Sequence, residues 1–285
     1  MRVQPTVFDR PEALGHALAT LIAERLAEAA NAGRPFLLGC PSGRSPQSTY
    51  AALAREVAAR NADLSGLVVV MMDEYVERDD RTGAMHRIDP TAPHSCVRFG
   101  QAEIVDQLNA AAGPGRGISP DRYWVPDPAA PQDYDAMIAG HGGIDLFIVA
   151  SGAGDGHVAF NPPGSGRDTG TRVVRLAEQT RQDNLNTFPS FGREIERVPR
   201  YGVTVGVATI REQSKQVVMV AHGEAKARAV RRVAEADSYR PEWPATVLTE
   251  CARPLLFVDE AAASELNGYR PAETFHHPQE AQWLA

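Results

Sequence analysis

Between residues 12 and 30, Leu14, Leu18, Leu21, Ile22 and Leu26 recur at intervals of three and four, the period of a helix with one apolar face. Residues 36–40 (FLLGC) form a short apolar run without polar alternation, as a strand covered on both faces requires. After Pro41, Ser42, Gly43 and Arg44 the pattern predicts a second helix from Pro46 to about Arg60, with Ser45 as N-cap and Pro46 as first helical residue. The alternation then repeats. Buried strands are predicted over 67–72, ending at Asp73, Glu74 and Tyr75, and over 144–150, 217–221 and 255–258. The third of these leads through His222 and Gly223 into a helix around 226–236, and the fourth through Asp259 into a helix over 260–266. Strands alternating with helices build βαβ units, hence an α/β fold: a mostly parallel sheet with helices on both faces.

The pattern weakens between 77 and 135, where Pro, Gly and Asp are frequent, and 110–120 reads as a mobile surface loop. Residues 268–285 show no period and read as a tail that wraps the surface or a neighbouring copy, so a homo-oligomer is compatible with the chain. With no internal repeat and no linker, 1–285 reads as a single domain.

In open parallel sheets ligands bind beyond the carboxyl ends of the strands. The chain places its chemically distinctive residues there. Ser42, Gly43, Arg44 and Ser45 form a turn feeding a helix N-terminus, a ready anion site of backbone N–H groups, hydroxyls and a guanidinium. The spacing fits neither a P-loop nor a dinucleotide fingerprint, so neither ATP nor NAD is expected, and no other cofactor or metal is indicated. Asp73 and Glu74 end a strand buried on both faces, where desolvation raises a carboxyl pKa and favours a base. Equally they can serve as loop-capping acids. Asp155, two residues before His157 in a glycine-rich turn, can orient an imidazole that shuttles a proton. His222 reads as a strand-end residue instead.

Composition narrows the classes. Lys and Arg number 29 against 36 Asp and Glu, a net charge of −7, with no basic field for nucleic acid or an anionic membrane. The longest apolar runs are far too short to span a bilayer, and the first ten residues lack a signal pattern. Cys40, Cys96 and Cys251 are too widely spaced for a disulfide framework or a zinc site, which points to a soluble cytoplasmic protein. Only Lys215 and Lys226 among the 29 basic residues are lysines. A genome that writes Arg for surface cations explains the bias; a surviving lysine can also mark a need for a compact ammonium.

Four stretches together carry a resemblance: 39–50 (GCPSGRSPQSTY), 72–75 (MDEY), 152–161 (GAGDGHVAFN) and 201–209 (YGVTVGVAT). Over about residues 10–265 the chain resembles the glucosamine-6-phosphate deaminases/isomerases, whose superfamily includes the 6-phosphogluconolactonases. The resemblance implies a single Rossmann-like domain and cofactor-independent aldose–ketose isomerisation. It implies that Asp73 takes the C2 proton, that His157 held by Asp155 assists ring opening, and that the 42–45 loop with Lys226 holds the substrate phosphate. Asn161 belongs to the shared motif and is carried over as substrate-binding; Glu74, His94, Arg172 and Asn186 are further candidates.

The chain also departs from the family's pattern. Pro162 stands where the deaminases carry a glutamate of the ring-opening relay, and Asn186 falls where an arginine holds phosphate. Arg44 replaces a usual glycine, and a longer 77–94 segment brings His86, Arg87 and His94 within possible reach of the site. The expected substrate is therefore a six-carbon aldose with an anionic far end: phosphate by default, sulfonate or sulfate as alternatives. An amine at C2 would be lost as ammonia; a hydroxyl would stop the reaction at the ketose. A sugar lactone hydrolase, in which His157 activates water, and an inactive sugar-binding regulator are the competing expectations.

Overall fold

The computed structural model describes residues 2–268, without the side chain of Asn186. The predicted tail lies almost entirely outside these residues. Strands run in chain order β1 (Pro5–Phe8), β2 (Phe36–Cys40), β3 (Leu67–Met71), β4 (Asp73–Arg78), β5 (Met85–Arg87), β6 (Tyr123–Trp124), β7 (Leu146–Val149), β8 (Arg172–Arg175), β9 (Tyr201–Thr204), β10 (Val217–Ala221) and β11 (Pro254–Asp259). The helices are α1 (Pro11–Asn31), α2 (Gln47–Arg60), α3 (Cys96–Phe99), α4 (Asp106–Ala112), α5 (Pro131–Gly140), α6 (Glu178–Thr187), α7 (Val207–Glu212) and α8 (Ala227–Glu235).

Seven strands form a parallel sheet in the order β1-β11-β10-β7-β2-β3-β6. Its α/β architecture is the expected one, and the side chains show why. Along β3, Val68 and Val70 enter one apolar core while Leu67, Val69 and Met71 enter the other. The same alternation in β7 and β10 buries both faces, each Leu or Val contributing on the order of 1.5–3 kcal/mol. α1, α2 and α4 cover one face; α5, α7 and α8 cover the other.

A second, antiparallel sheet, ordered β5-β4-β9-β8, was not legible as such. Residues 73–75, expected as the end of a strand, instead open β4, because the chain leaves the parallel sheet at Met72 and pairs Asp73 with Thr204. Asp73 thus sits at the seam between the two sheets.

Other local expectations are corrected. Ser45 does not cap α2: the helix starts at Gln47, with Pro46 as N-cap residue and no side-chain cap. The 260–266 helix is a series of turns, with Asp259 accepting from the Ala262 amide. The 110–120 segment is partly α4 and otherwise pinned: Asn109 accepts from the Ile118 amide and donates to its carbonyl, and Ile118 is buried. Residues 77–94 form the β4–β5 hairpin and a following turn, which leaves His86 and Arg87 exposed on an edge strand.

Candidate active site

A cavity of about 510 Å³ opens beyond the carboxyl ends of the central strands. Ser42, Gly43, Arg44 and Ser45, which link β2 to α2, form one wall. Asp73, His157 and Lys226 also line it.

Asp73 is 4% exposed, and its Oδ1 is buried without a hydrogen-bond partner among the described residues. Burial pushes the carboxyl up to about 7; the Cys96 thiol opposes that shift and the neighbouring charge of Glu74 adds to it. Glu74 is fully buried, on the opposite face of β4, and its surroundings are the reverse. Its carboxylate accepts from Ser95 Oγ at 2.6 Å and from the amides of Tyr75, Val97 and Cys96 at 2.7, 2.8 and 3.1 Å. Burial raises its pKa even so. Glu74 therefore anchors the start of α3 and does not line the cavity, which removes it from the candidate site residues.

His157 Nδ1 lies 2.7 Å from Asp155 Oδ1, and the same oxygen accepts the His157 amide at 3.1 Å. Burial raises the Asp155 pKa, but the hydrogen bonds and charge of His157 outweigh it and hold the carboxyl below its ordinary value. Thr180 Oγ1, from α6, stands 3.3 Å from His157 Nδ1 and 3.5 Å from Asp155 Oδ2. The imidazole lines the cavity, and its hydrogen bonds to Asp155 and Thr180 engage Nδ1. Gly152 leaves room for this pair, since a Cβ there would lie 2.2 Å from His157 Nδ1.

Lys226 donates to the Ser151 carbonyl at 2.6 Å. Burial lowers its pKa, Asp183 and Asp155 raise it and Arg44 lowers it, so two cations and the Asp183 carboxylate share one electrostatic neighbourhood. Arg44 is exposed and makes no ion pair among the described residues. Ser42 Oγ donates to Cys96 Sγ at 3.2 Å, which joins the anion loop to the surroundings of Asp73.

Three further candidates are placed elsewhere. Asn161 is fully buried away from the cavity lining, donating to the Val158 and Val205 carbonyls and accepting from Arg172. Arg172 is spent on Asn161, Gly170 and Ser165. His94 lies behind the cavity wall, its ring 4.4 Å from Phe191 and 5.7 Å from Tyr75, with Nδ1 buried and unpartnered. Burial lowers its pKa against the pull of Glu77. Asn186 belongs to α6, but its side chain is not among those described.

The sequence reading missed other parts of the wall: Asp183, Asn184 and Thr187 from α6 and Phe188 just beyond it, together with Cys96 and His222. Asn184 Nδ2 is buried with no partner. A signal existed, since positions 180, 183, 184 and 187 recur at helical spacing as a polar stripe. Among the described residues no group of three or more His, Cys, Asp or Glu is placed to hold a metal ion, and no helix is long and apolar enough to cross a membrane.

Known proteins share this arrangement of sheet and loops. Residues 9–256 match the family of glucosamine-6-phosphate isomerases/6-phosphogluconolactonase. A glucosamine-6-phosphate deaminase of Rhodococcus opacus is 36% identical over 81% of this chain and 82% of its own length. Glucosamine-6-phosphate deaminase 2 of Bacillus subtilis is 31% identical over 87% and 93%. Among solved structures, a monomeric glucosamine-6-phosphate deaminase superposes with a TM-score of 0.76 at 26% identity, over 93% of this chain and all of its own. The 6-phosphogluconolactonase of Trypanosoma brucei shares the fold, with a TM-score of 0.66 at 19% identity over 93% of this chain and 99% of that one.

Proposed function

Because the chain belongs to the family of glucosamine-6-phosphate isomerases and 6-phosphogluconolactonases, we propose that it is a sugar-phosphate isomerase or deaminase in which Asp73 is the base. The observation that carries this reading is the buried, unpartnered Asp73 Oδ1 on the wall of the cavity. A buried carboxyl pushed up to about 7, with the Cys96 thiol the side-chain donor that opposes the shift, is a far stronger base than one in water.

The substrate's anionic end sits against the 42–45 loop, Arg44 and Lys226, close to the N-terminus of α2. His157, held by Asp155 and Thr180, moves a proton at the ring oxygen so that the pyranose opens. Asp73 then takes the proton from C2 of the open aldose. The electron pair of the broken C–H bond forms the C1–C2 double bond, and the carbonyl oxygen takes up a proton. Delivery of the Asp73 proton to C1, with the proton of the C2 hydroxyl lost to water, completes the ketose; with an amine at C2 the same delivery gives an iminium that water cleaves to release ammonia.

Pro162 supplies no carboxylate to the ring-opening pair, and Asp155 is the one carboxylate hydrogen-bonded to His157 among the described residues. Ring opening then rests on the Asp155–His157–Thr180 arrangement. The test is solvent deuterium incorporation at C2 of glucosamine 6-phosphate, followed by mass spectrometry. The wild type should exchange and Asp73→Asn should not. Hydrolysis of a sugar lactone without exchange would instead make the protein a lactonase. Binding without turnover on a panel of 6-phospho, 6-sulfo and 6-sulfono sugars would make it a regulator.

A further inference from the structure

His157 and Asp155 do not stand on regular secondary structure, so something outside the turn must hold it. Gly156, between them, has φ of +67°. A Cβ built on it would lie 2.3 Å from Trp243 Cε2 and 2.4 Å from Trp243 Cδ2. Those atoms form the fused bond inside the indole, which can be approached so closely only through a ring face. The α-carbon of Gly156 therefore sits against a face of the Trp243 indole. One residue beyond its neighbour, Ala245 donates its amide to the Gly156 carbonyl at 2.8 Å.

Trp243 is itself fixed. It is 7% exposed, its amide donates to the Arg240 carbonyl at 2.9 Å, and its carbonyl accepts from Thr246 Oγ1 at 2.7 Å. The guanidinium carbons of Arg228 and Arg232, one turn apart on α8, stand 5.7 and 5.6 Å from the ring centre. Among the described residues neither arginine makes an ion pair, and both guanidinium groups stack on the indole. Trp243 touches nothing in the cavity that holds His157.

We propose that Trp243 is a positioning residue for the Asp155–His157 pair, the indole and the Ala245 amide together clamping Gly156 so that the imidazole presents its free nitrogen to the substrate. This rests on the reading of His157 given above. A pair held in one geometry needs no reorganisation at the moment of proton transfer, whereas a misplacement of about 1 Å can cost on the order of 100-fold.

The experiment measures steady-state kinetics of Trp243→Leu and Trp243→Phe, together with the imidazole proton titration of His157 by NMR, its signal assigned by its absence in His157→Gln. Trp243→Leu should lower kcat about 10- to 100-fold with KM within about threefold, and should displace the His157 titration. Trp243→Phe keeps a flat ring under Gly156 and should retain most of kcat and the wild-type titration. An unchanged kcat in Trp243→Leu, or a His157 titration superposable on wild type in that variant, overturns the proposal. Should Trp243→Leu fail to fold, Gly156→Ala, which presses a methyl on the ring, gives the same readings with the same expected signs. If the wild type shows no C2 exchange at all, it is the reading of Asp73 that has failed, and the titration alone judges the clamp.

Discussion

Two buried aspartates mark opposite ends of the parallel sheet. Asp145 precedes β7, at the end where strands enter, and is 9% exposed; Asp73 follows β3, at the end where strands leave, and is 4% exposed. Asp145 accepts from Arg34 at 2.8 Å, from Lys215 at 2.9 Å and from the Leu37 amide at 2.9 Å. Asp73 Oδ1 accepts from nothing among the described residues. The two lysines of the chain divide the same way: Lys215 enters β10 and neutralises Asp145, whereas Lys226 lies beyond β10 and lines the cavity. Buried acids that serve the fold are paired because an uncompensated charge costs several kcal/mol. An acid left unpaired against a cavity keeps that cost as basicity.

The sharpest way to break this contrast is Asp73→Asn. C2 exchange should fall by about 10²- to 10⁴-fold, the usual contribution of a positioned general base. Stability should move the other way. A carboxyl whose folded pKa is raised from 3.8 to about 7 favours the folded state below the unfolded value, and that advantage is lost as pH rises through about 7. At pH 8 the wild type therefore carries a penalty on the order of 4 kcal/mol, at ~1.4 kcal/mol per pH unit, which the amide removes. Thermal unfolding at pH 8 should show a higher midpoint for the variant; a lower one would mean that Asp73 is a structural acid like Asp145.

Next in size is Lys226→Ala. Removing charge-assisted hydrogen bonds of about 1.5–3 kcal/mol should raise KM roughly 10- to 150-fold, with kcat reduced less. Arg44→Ala should act in the same direction and more weakly, because its guanidinium is exposed and screened. Unchanged KM in both variants would place the anion elsewhere. Asp145→Ala is the mirror experiment. Its partners are about half exposed, which discounts the loss to about 2 kcal/mol of unfolding free energy. Urea unfolding should show that loss while kcat/KM stays within about twofold, since Asp145 lies at the far end of the sheet.

How much of this was legible follows from the same physics. Strands buried on both faces must be apolar runs, so β2, β3, β7, β10 and β11 stood out within a residue or two. The second sheet did not, because DEYVER, YGVT and RVVR are short segments of mixed polarity; β4 pairs with β9 more than 120 positions further along the chain, and β8 reaches β9 only across α6. The charged residues at strand exits could be read: Asp73, His157, Lys226 and Arg44 all face one cavity. Asn161 was carried into the site by its place in a motif, yet it is fully buried away from the cavity and bonded to Val158, Val205 and Arg172. The inner face of α6 escaped notice because a helix that lines a wet cavity buries a polar stripe, and a search for apolar period passes over it.

The smallest effect is the most diagnostic. In the free protein Asp73 is pushed up to about 7 by burial, with Glu74 adding to that and the Cys96 thiol opposing it. Only the ionised form can accept the C2 proton, so kcat/KM should rise about tenfold between pH 6 and pH 8 and flatten above it. An ordinary exposed aspartate would give no such limb above pH 5. Cys96→Ser separates the causes: its hydroxyl is a stronger donor than the thiol and should stabilise the carboxylate, moving the limb to lower pH without abolishing activity. Cys96→Ala removes the donor and should move it higher. A pH profile flat from 5 to 8 in all three proteins would mean that Asp73 is no more perturbed than any paired acid, and the contrast between the two ends of the sheet would lose its chemical content.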